Sequence, residues 1–199
     1  MTASPSPARV LFVDRDGTLI EEPPDEQVDS LEKVRFVPGV FAALGALRRA
    51  GFRLVMVTNQ DGLGTPRFPQ SAFDTPQRFV IDAFASQGVE FDAVFVCPHL
   101  AADGCGCRKP RTGLVERYLR ETAVDPSSSA MVGDRETDLE FARNLGVRGL
   151  RVGRNGAPQE TWAAIVGALT ARRARVERET KETRVVVAVD LYGDRKSVV

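Results

Sequence analysis

A mostly parallel β-sheet flanked by helices is the fold this sequence predicts, and three observations carry the prediction. From Arg9 to Val152 short apolar runs alternate with segments of helical period, the pattern of successive strand–helix units. The runs are bounded by Gly, Pro and Asx residues, which set element ends. Chemically active residues (Asp14, Thr58, Cys97 and Asp134) stand at the carboxyl ends of four predicted strands. In open parallel sheets that is the edge where ligands bind.

The elements follow in order. Val10–Val13 reads as a buried strand ending at Asp14. The stretch from Ile20 to Val37, rich in Pro and acidic residues, is irregular, after which Pro38 opens a helix and Gly51 closes it. Arg53–Val57 is the next strand, ending at Thr58. A loop holding Gly62, Gly64, Pro66 and Pro69 leads to a helix expected from about Thr75 to Gln87, stopped by Gly88. Ala93–Val96 is a third strand, followed by a Cys/His loop and a helix near Gly113–Thr122. Ala130–Val132 ends at Gly133-Asp134, a helix runs from Thr137 to Asn144, and Gly149–Val152 is the last strand of the pattern. A final helix is expected over 161–170. The domain is therefore placed at 1–170, with 171–199 as a linker and a strand-bearing tail. Five basic residues between Ala171 and Thr183 are interleaved with Glu177, Glu179 and Glu182, which reads as a solvated linker or helix rather than a nucleic-acid arm. Arg184–Val189 has a strand pattern with no evident partner nearby.

A chain of 199 residues suits one good-sized domain with a short appendage. Its 27 basic and 27 acidic residues cancel, so no global field draws it to nucleic acid or an anionic membrane. The apolar runs are far shorter than the roughly 20 residues that cross a bilayer. Met1–Pro7 lacks the basic and apolar regions of a secretory signal, so a cytoplasmic location is expected. The composition leaves oligomeric state open.

Asp14-Arg15-Asp16-Gly17-Thr18 leaves directly from a buried strand. Carboxylates at i and i+2 point the same way, so both reach one site. Like charges that close call for a hard divalent cation such as Mg²⁺. With the charge balanced, one carboxylate can act as nucleophile and the other as general acid and base. Gly17 permits a sharp exit and a close backbone approach to a phosphate. An Asp-rich turn that merely ends a strand is the plain alternative, and three further elements weigh against it. Thr58-Asn59-Gln60 offers hydroxyl and backbone donors at the next strand end. Lys109, in Arg108-Lys109-Pro110, brings a positive charge. Gly133-Asp134-Arg135, with Asp138 a turn later, brings a further carboxylate for the metal.

The three cysteines and the single histidine fall within eleven positions: Cys97, His99, Cys105 and Cys107, spaced C-x-H-x₅-C-x-C. Three thiolates and one imidazole suit a closed tetrahedral Zn²⁺ site, which has no open position for water and is therefore structural. Lys109 lies two residues beyond Cys107, so fixing this loop fixes the lysine.

These four motifs, in this order, resemble those of the haloacid dehalogenase-like phosphatase superfamily. The resemblance implies a Rossmann-like core, Asp14 as nucleophile and Asp16 as general acid/base. It implies Mg²⁺ held by the Asp14 side chain, the Asp16 carbonyl and Asp134, with Thr58 and Lys109 stabilising a phosphoryl group. Asp138 is left to hold either Lys109 or a metal-bound water. Asn59, Arg15 and Gly17 are expected on the substrate side, the last two through their backbone. The partner implied is a small phosphate monoester.

The zinc loop narrows the resemblance to a subgroup holding histidinol-phosphate phosphatases and heptose bisphosphate phosphatases. Leu19–Asp29, Asn59–Thr65 and Cys97–Pro110 with Leu114–Leu119 resemble the former, implying hydrolysis of histidinol phosphate in histidine biosynthesis; the loop after Asn59 is less like the heptose enzymes. Thr180-Lys181-Glu182-Thr183 and the strand after it resemble the start of an imidazoleglycerol-phosphate dehydratase. That enzyme's site is rich in histidine, and His99 is the only histidine here, so dehydratase activity is not expected. Glu21, Glu22 and Asp61 are candidate partners for a substrate amine or imidazole, or simply solvated carboxylates. A catalytically idle zinc-bearing module is the reading of another class.

Overall fold

The computed structural model of the protein describes residues 7–153, 160–171, 173–179 and 184–190. Five strands, β1 (Arg9–Val13), β2 (Phe52–Asn59), β3 (Ala93–Cys97), β4 (Ala130–Gly133) and β5 (Arg148–Arg151), form one sheet in the order β3-β2-β1-β4-β5. Every pairing in it is parallel. Helices α1 (Val40–Arg49), α2 (Gln70–Ser86), α3 (Glu116–Glu121), α4 (Glu136–Leu145) and α5 (Trp162–Thr170) flank it.

Alternation along the central strands explains why both faces are covered. Leu11, Val13, Leu54, Met56, Ala130 and Val132 point to one face and pack with side chains of α1, α2 and α5. Val10, Phe12, Val55, Val57 and Met131 point to the other and pack with Val115, α3 and α4. Residues 10–13 consequently have no exposed surface, as expected of a strand buried on both sides. Phe12 meets Tyr118 and Phe141 edge-on, with ring centroids 6.4 and 6.3 Å away. Loss of such a buried ring typically costs about 3–5 kcal/mol.

The chain runs outward from β1 through β2 to β3, and β4 then returns to pair on the other side of β1. A crevice opens at such a reversal, outside the carboxyl ends of the strands. Asp14 follows β1 and its N–H donates to Val132 O on β4 (2.9 Å), so the sheet itself fixes its position.

Two elements differ from the sequence expectation. Helix α2 begins at Gln70 rather than near Thr75, with Pro76 inside it. Its buried face, Phe73, Pro76, Gln77, Val80 and Phe84, keeps the 3–4 residue spacing across the proline. Burial of that stripe outweighs the breaker signal that placed the start later. The second difference is in 171–183, expected as a linker or solvated helix. Strand β6 (Arg173–Glu179) lies there and pairs antiparallel with β7 (Arg184–Asp190), the strand expected to lack a partner. The interleaved charges that suggested a solvated segment also fit a two-residue period. The register sets Arg173 opposite Asp190 and Glu179 opposite Arg184. The Thr180–Thr183 motif lies outside the described residues. No helix of the described residues is long and apolar enough to cross a membrane.

Candidate active site

A cavity of about 450 Å³ opens at the carboxyl edge of the sheet, with Asp14, Asp16, Asn59, Lys109 and Asp138 among its lining. Strand ends and one loop bring these residues together from distant parts of the chain.

Lys109 is the hub. Its ammonium is 2.5 Å from Asp14 Oδ1 and 2.7 Å from Asp138 Oδ1, and it donates to Val57 O at 2.8 Å. Asp138 Oδ2 accepts from the Arg135 main chain at the start of α4 (3.1 Å). Of the two roles left open for Asp138, contact with Lys109 is the one the geometry displays. Burial pushes the Asp14 carboxyl up to about 8, since repulsion from Asp138 and Asp16 adds to desolvation and Lys109 offsets only part of it. Burial works against the Lys109 ammonium, but the charges of Asp14 and Asp138 outweigh it and raise its pKa.

Two glycines make room for the carboxylates. A Cβ on Gly17, whose φ is +74°, would lie 2.4 Å from Asp134 Oδ2. A Cβ on Gly133 would lie 2.3 Å from Asp138 Oδ2. The loop after Gly17 is held in turn by Trp162, whose buried Nε1 donates to Thr18 O (3.1 Å). Carboxylate oxygens of Asp14, Asp134 and Asp138 all lie within 4.8 Å of one another. That is an all-oxygen donor set suited to a hard cation such as Mg²⁺. Lys109 engages both Asp14 and Asp138 within this set, and Asp138 is also held by the Arg135 main chain.

Sequence reasoning placed Asn59 toward the substrate. It lines the cavity, but its amide also brackets the Lys109 peptide: Oδ1 accepts from Lys109 N (3.1 Å) and Nδ2 donates to Lys109 O (3.4 Å). Thr58 is buried, and its Oγ1 accepts from Gln60 Nε2 (2.8 Å). Neither Arg15 nor Gly17 lines the cavity; the Arg15 side chain is wholly buried, with its guanidinium 5.1 Å from the Phe73 ring centre. Of the candidate partners for a substrate cation, Glu22 and Asp61 line the cavity and Glu21 does not. Glu22 is paired with Arg135 (2.5 Å) and Asp61 with Arg108. Gln60 was named only as part of a tripeptide, yet its amide also reaches Asp16 Oδ2 (2.6 Å). Its place at i+2 from Thr58 at a strand end was the available signal.

The Cys/His loop converges as its spacing suggested. Sγ atoms of Cys97, Cys105 and Cys107 are 3.3–3.8 Å apart, and His99 Nδ1 is 3.1 Å from Cys107 Sγ and 3.6 Å from Cys97 Sγ. A tetrahedral zinc with Zn–S bonds near 2.3 Å has sulfur–sulfur edges of about 3.8 Å, so the donor set fits that ion. Burial pushes the Cys97 thiol up to about 12. Cys105 is drawn down to about 7: desolvation opposes this, but hydrogen bonds involving Cys107 and the Arg108 main chain outweigh it. The loop is tied to the segment that follows β2 by Gln60 N→Cys97 O (2.7 Å) and Gly62 N→Pro98 O (3.0 Å).

The HAD-hydrolase-like family model matches residues 106–175. The heptose bisphosphate phosphatase of B. bronchiseptica, solved with magnesium and phosphate, is 31% identical and superposes with a TM-score of 0.70, covering 81% of this chain and 97% of that one. The chain belongs to the HAD-like hydrolases. Its curated relatives include the histidine biosynthesis bifunctional protein HisB of Legionella pneumophila strain Lens, 49% identical over 193 residues. That match covers 96% of this chain and 54% of the relative. HisB of Xylella fastidiosa strain M23 is 50% identical over 188 residues, 92% of this chain and 50% of the relative. The chain thus spans about half the length of these relatives.

Proposed function

We propose that this chain hydrolyses L-histidinol phosphate to L-histidinol and phosphate through an aspartyl-phosphate on Asp14. The observation that carries the chemistry is the buried Asp14, fixed at the β1 end between Lys109 and the Asp134 carboxylate. Two supports favour the substrate. One is the 48–50% identity to relatives named for histidine biosynthesis. The other is the resemblance of the loops at 19–29, 59–65 and 97–110.

In this reading an Asp14 oxygen attacks phosphorus, the ester P–O bond breaks, and the departing alkoxide takes a proton from Asp16. Asp16, now a carboxylate, removes a proton from water. The resulting hydroxide attacks the same phosphorus, and the Asp14–phosphorus bond breaks to release phosphate. Lys109 balances charge on the nucleophile and the phosphoryl oxygens, and the Thr58 hydroxyl has its hydrogen to give to one of them. Asp14, Asp134 and the Asp16 carbonyl would hold Mg²⁺, which supplies further charge stabilisation when bound. The Cys97, His99, Cys105 and Cys107 set would hold a structural Zn²⁺ that keeps Lys109 in place. Residues 1–170 form the catalytic unit in this reading, and the cell compartment proposed is the cytoplasm.

Phosphate release from histidinol phosphate in Mg²⁺, measured beside a heptose bisphosphate and the Asp14→Asn variant, tests the proposal. Fast release from histidinol phosphate, lost in Asp14→Asn, is expected. Preference for the heptose substrate, which the B. bronchiseptica neighbour favours, would move the chain to sugar phosphates with the chemistry intact. Turnover of neither would support the idle module.

A further inference from the structure

Arg15 is a costly residue with little visible return. Its side chain has no exposed surface, and its Nε and Nη2 have no hydrogen-bond partner among the described residues. A buried guanidinium is disfavoured unless it is paired and hydrogen-bonded. Its one polar engagement is Nη1, which donates to both oxygens of Asp16, at 3.0 Å to Oδ1 and 3.3 Å to Oδ2. The Phe73 ring on α2 lies 5.1 Å from the guanidinium carbon and contributes a cation–π contact. Gln60 approaches the same carboxylate from just beyond the end of β2: Nε2 donates to Asp16 Oδ2 at 2.6 Å and to Thr58 Oγ1 at 2.8 Å.

We infer that Arg15 and Gln60 are positioning residues that aim the Asp16 carboxyl into the cavity and decide where its proton sits. The inference rests on the reading of Asp16 as general acid and base. Both neighbours present N–H groups to Asp16, and neither a guanidinium nor an amide nitrogen accepts a proton. A proton carried by Asp16 is therefore excluded from the side facing Arg15 and Gln60 and is directed to the cavity, where the leaving oxygen and the attacking water must both lie. Gln60 also ties this carboxyl to Thr58, so the acid and a phosphate-contacting hydroxyl keep one spacing. Phe73 fixes Arg15 from behind; Arg15 never needs to enter the cavity for this role.

The leaving group provides the test. An alkyl phosphate such as histidinol phosphate must have its alkoxide protonated, whereas p-nitrophenolate departs unaided. First-turnover alcohol release reports only this step and is measured for both substrates with the full chain in Mg²⁺. The reading of Asp16 is checked with Asp16→Asn, expected to lower the alkyl-to-aryl rate ratio about 100-fold or more. Gln60→Leu and Arg15→Met are expected to lower the same ratio about tenfold, with KM for the alkyl substrate changed less than about threefold. A change confined to stability or to KM, with the ratio as in the parent, would overturn the positioning role while leaving Asp16 in place. An unchanged ratio in Asp16→Asn would overturn the reading of Asp16 itself. Should Arg15→Met not fold, Gln60→Leu decides alone, since it removes hydrogen bonds to Asp16 and Thr58 without deleting a charge.

Discussion

Lys109 Nζ stands 2.5 Å from Asp14 Oδ1 and 2.7 Å from Asp138 Oδ1, with all three side chains almost wholly buried. One cation thus stands between two buried carboxyl groups that would otherwise repel. Asn59 holds the lysine's peptide and the Cys/His loop holds its chain neighbours, so the cation's position is determined from two directions.

Replacing this lysine leaves that charge uncompensated. Lys109→Met keeps the length of the side chain and is expected to cost the magnesium-free protein about 3–5 kcal/mol, the usual penalty for breaking a buried pair by removing one partner. Added Mg²⁺ should recover part of the loss, because a second cation then faces Asp14. Denaturant unfolding with and without Mg²⁺ checks both statements; unaltered stability without Mg²⁺ contradicts the pairing.

The Asp14 carboxyl, raised by burial from 3.8 to about 8, makes stability depend on pH. The folded, magnesium-free protein binds this proton more tightly than the unfolded chain. Its contribution is therefore fully present below the unfolded value and is lost as pH rises through the folded one. Melting temperature without Mg²⁺ should fall between about pH 4 and pH 8, between the unfolded and folded values, while the stabilisation given by Mg²⁺ should grow over the same range. Asp14→Asn should flatten both trends. Melting curves across that range, with Mg²⁺ added or omitted and no chelator present, provide the measurement.

Much of this site was legible in the sequence because it is carried by strand ends. A buried apolar run fixes where a strand stops, and Asp14, Thr58 and Asp134 each follow such a run. The Cys/His spacing was equally readable, since metal-donor types cluster locally. What the sequence did not display depends on contacts between distant segments. Nothing in Asn59 announces that its amide will bracket a peptide fifty positions away. Arg15 reads as a loop residue at a binding edge, and only Phe73, brought over by the early start of α2, reveals it as buried. The hairpin of β6 and β7 was missed for a similar reason: a charged strand is recognised by its partner.

Zinc should be required for the lysine's placement rather than for chemistry at the metal. Purified protein is expected to carry one zinc per chain by elemental analysis. Removing it and restoring only Mg²⁺ should leave activity reduced at least about tenfold, and Cys105→Ser should behave alike. The Cys97 thiol, pushed up to about 12, must lose its proton to ligate, so zinc uptake should release protons and weaken toward acid pH. Full activity in zinc-free protein resupplied with Mg²⁺ would refute the role.

Gly17→Ala separates metal binding from the nucleophile. The added methyl would stand 2.4 Å from Asp134 Oδ2 and 2.6 Å from Asp134 Cγ, at a φ of +74° that L side chains rarely adopt. Its three nearest neighbours all belong to Asp134. The carboxylate of Asp134 must therefore shift, and an oxygen ligand displaced even slightly serves Mg²⁺ poorly, because this ion demands near-ideal octahedral geometry. The backbone conformation alone should cost about 1 kcal/mol or more. The expected result is a magnesium requirement raised about tenfold or more, with the activity partly recovered at high Mg²⁺. Titrating activity against Mg²⁺ distinguishes this from a general loss of fold. A variant with the parent's magnesium requirement and only a lower melting temperature would show that Gly17 serves the turn alone, and that Asp134 has room to retreat without leaving the metal.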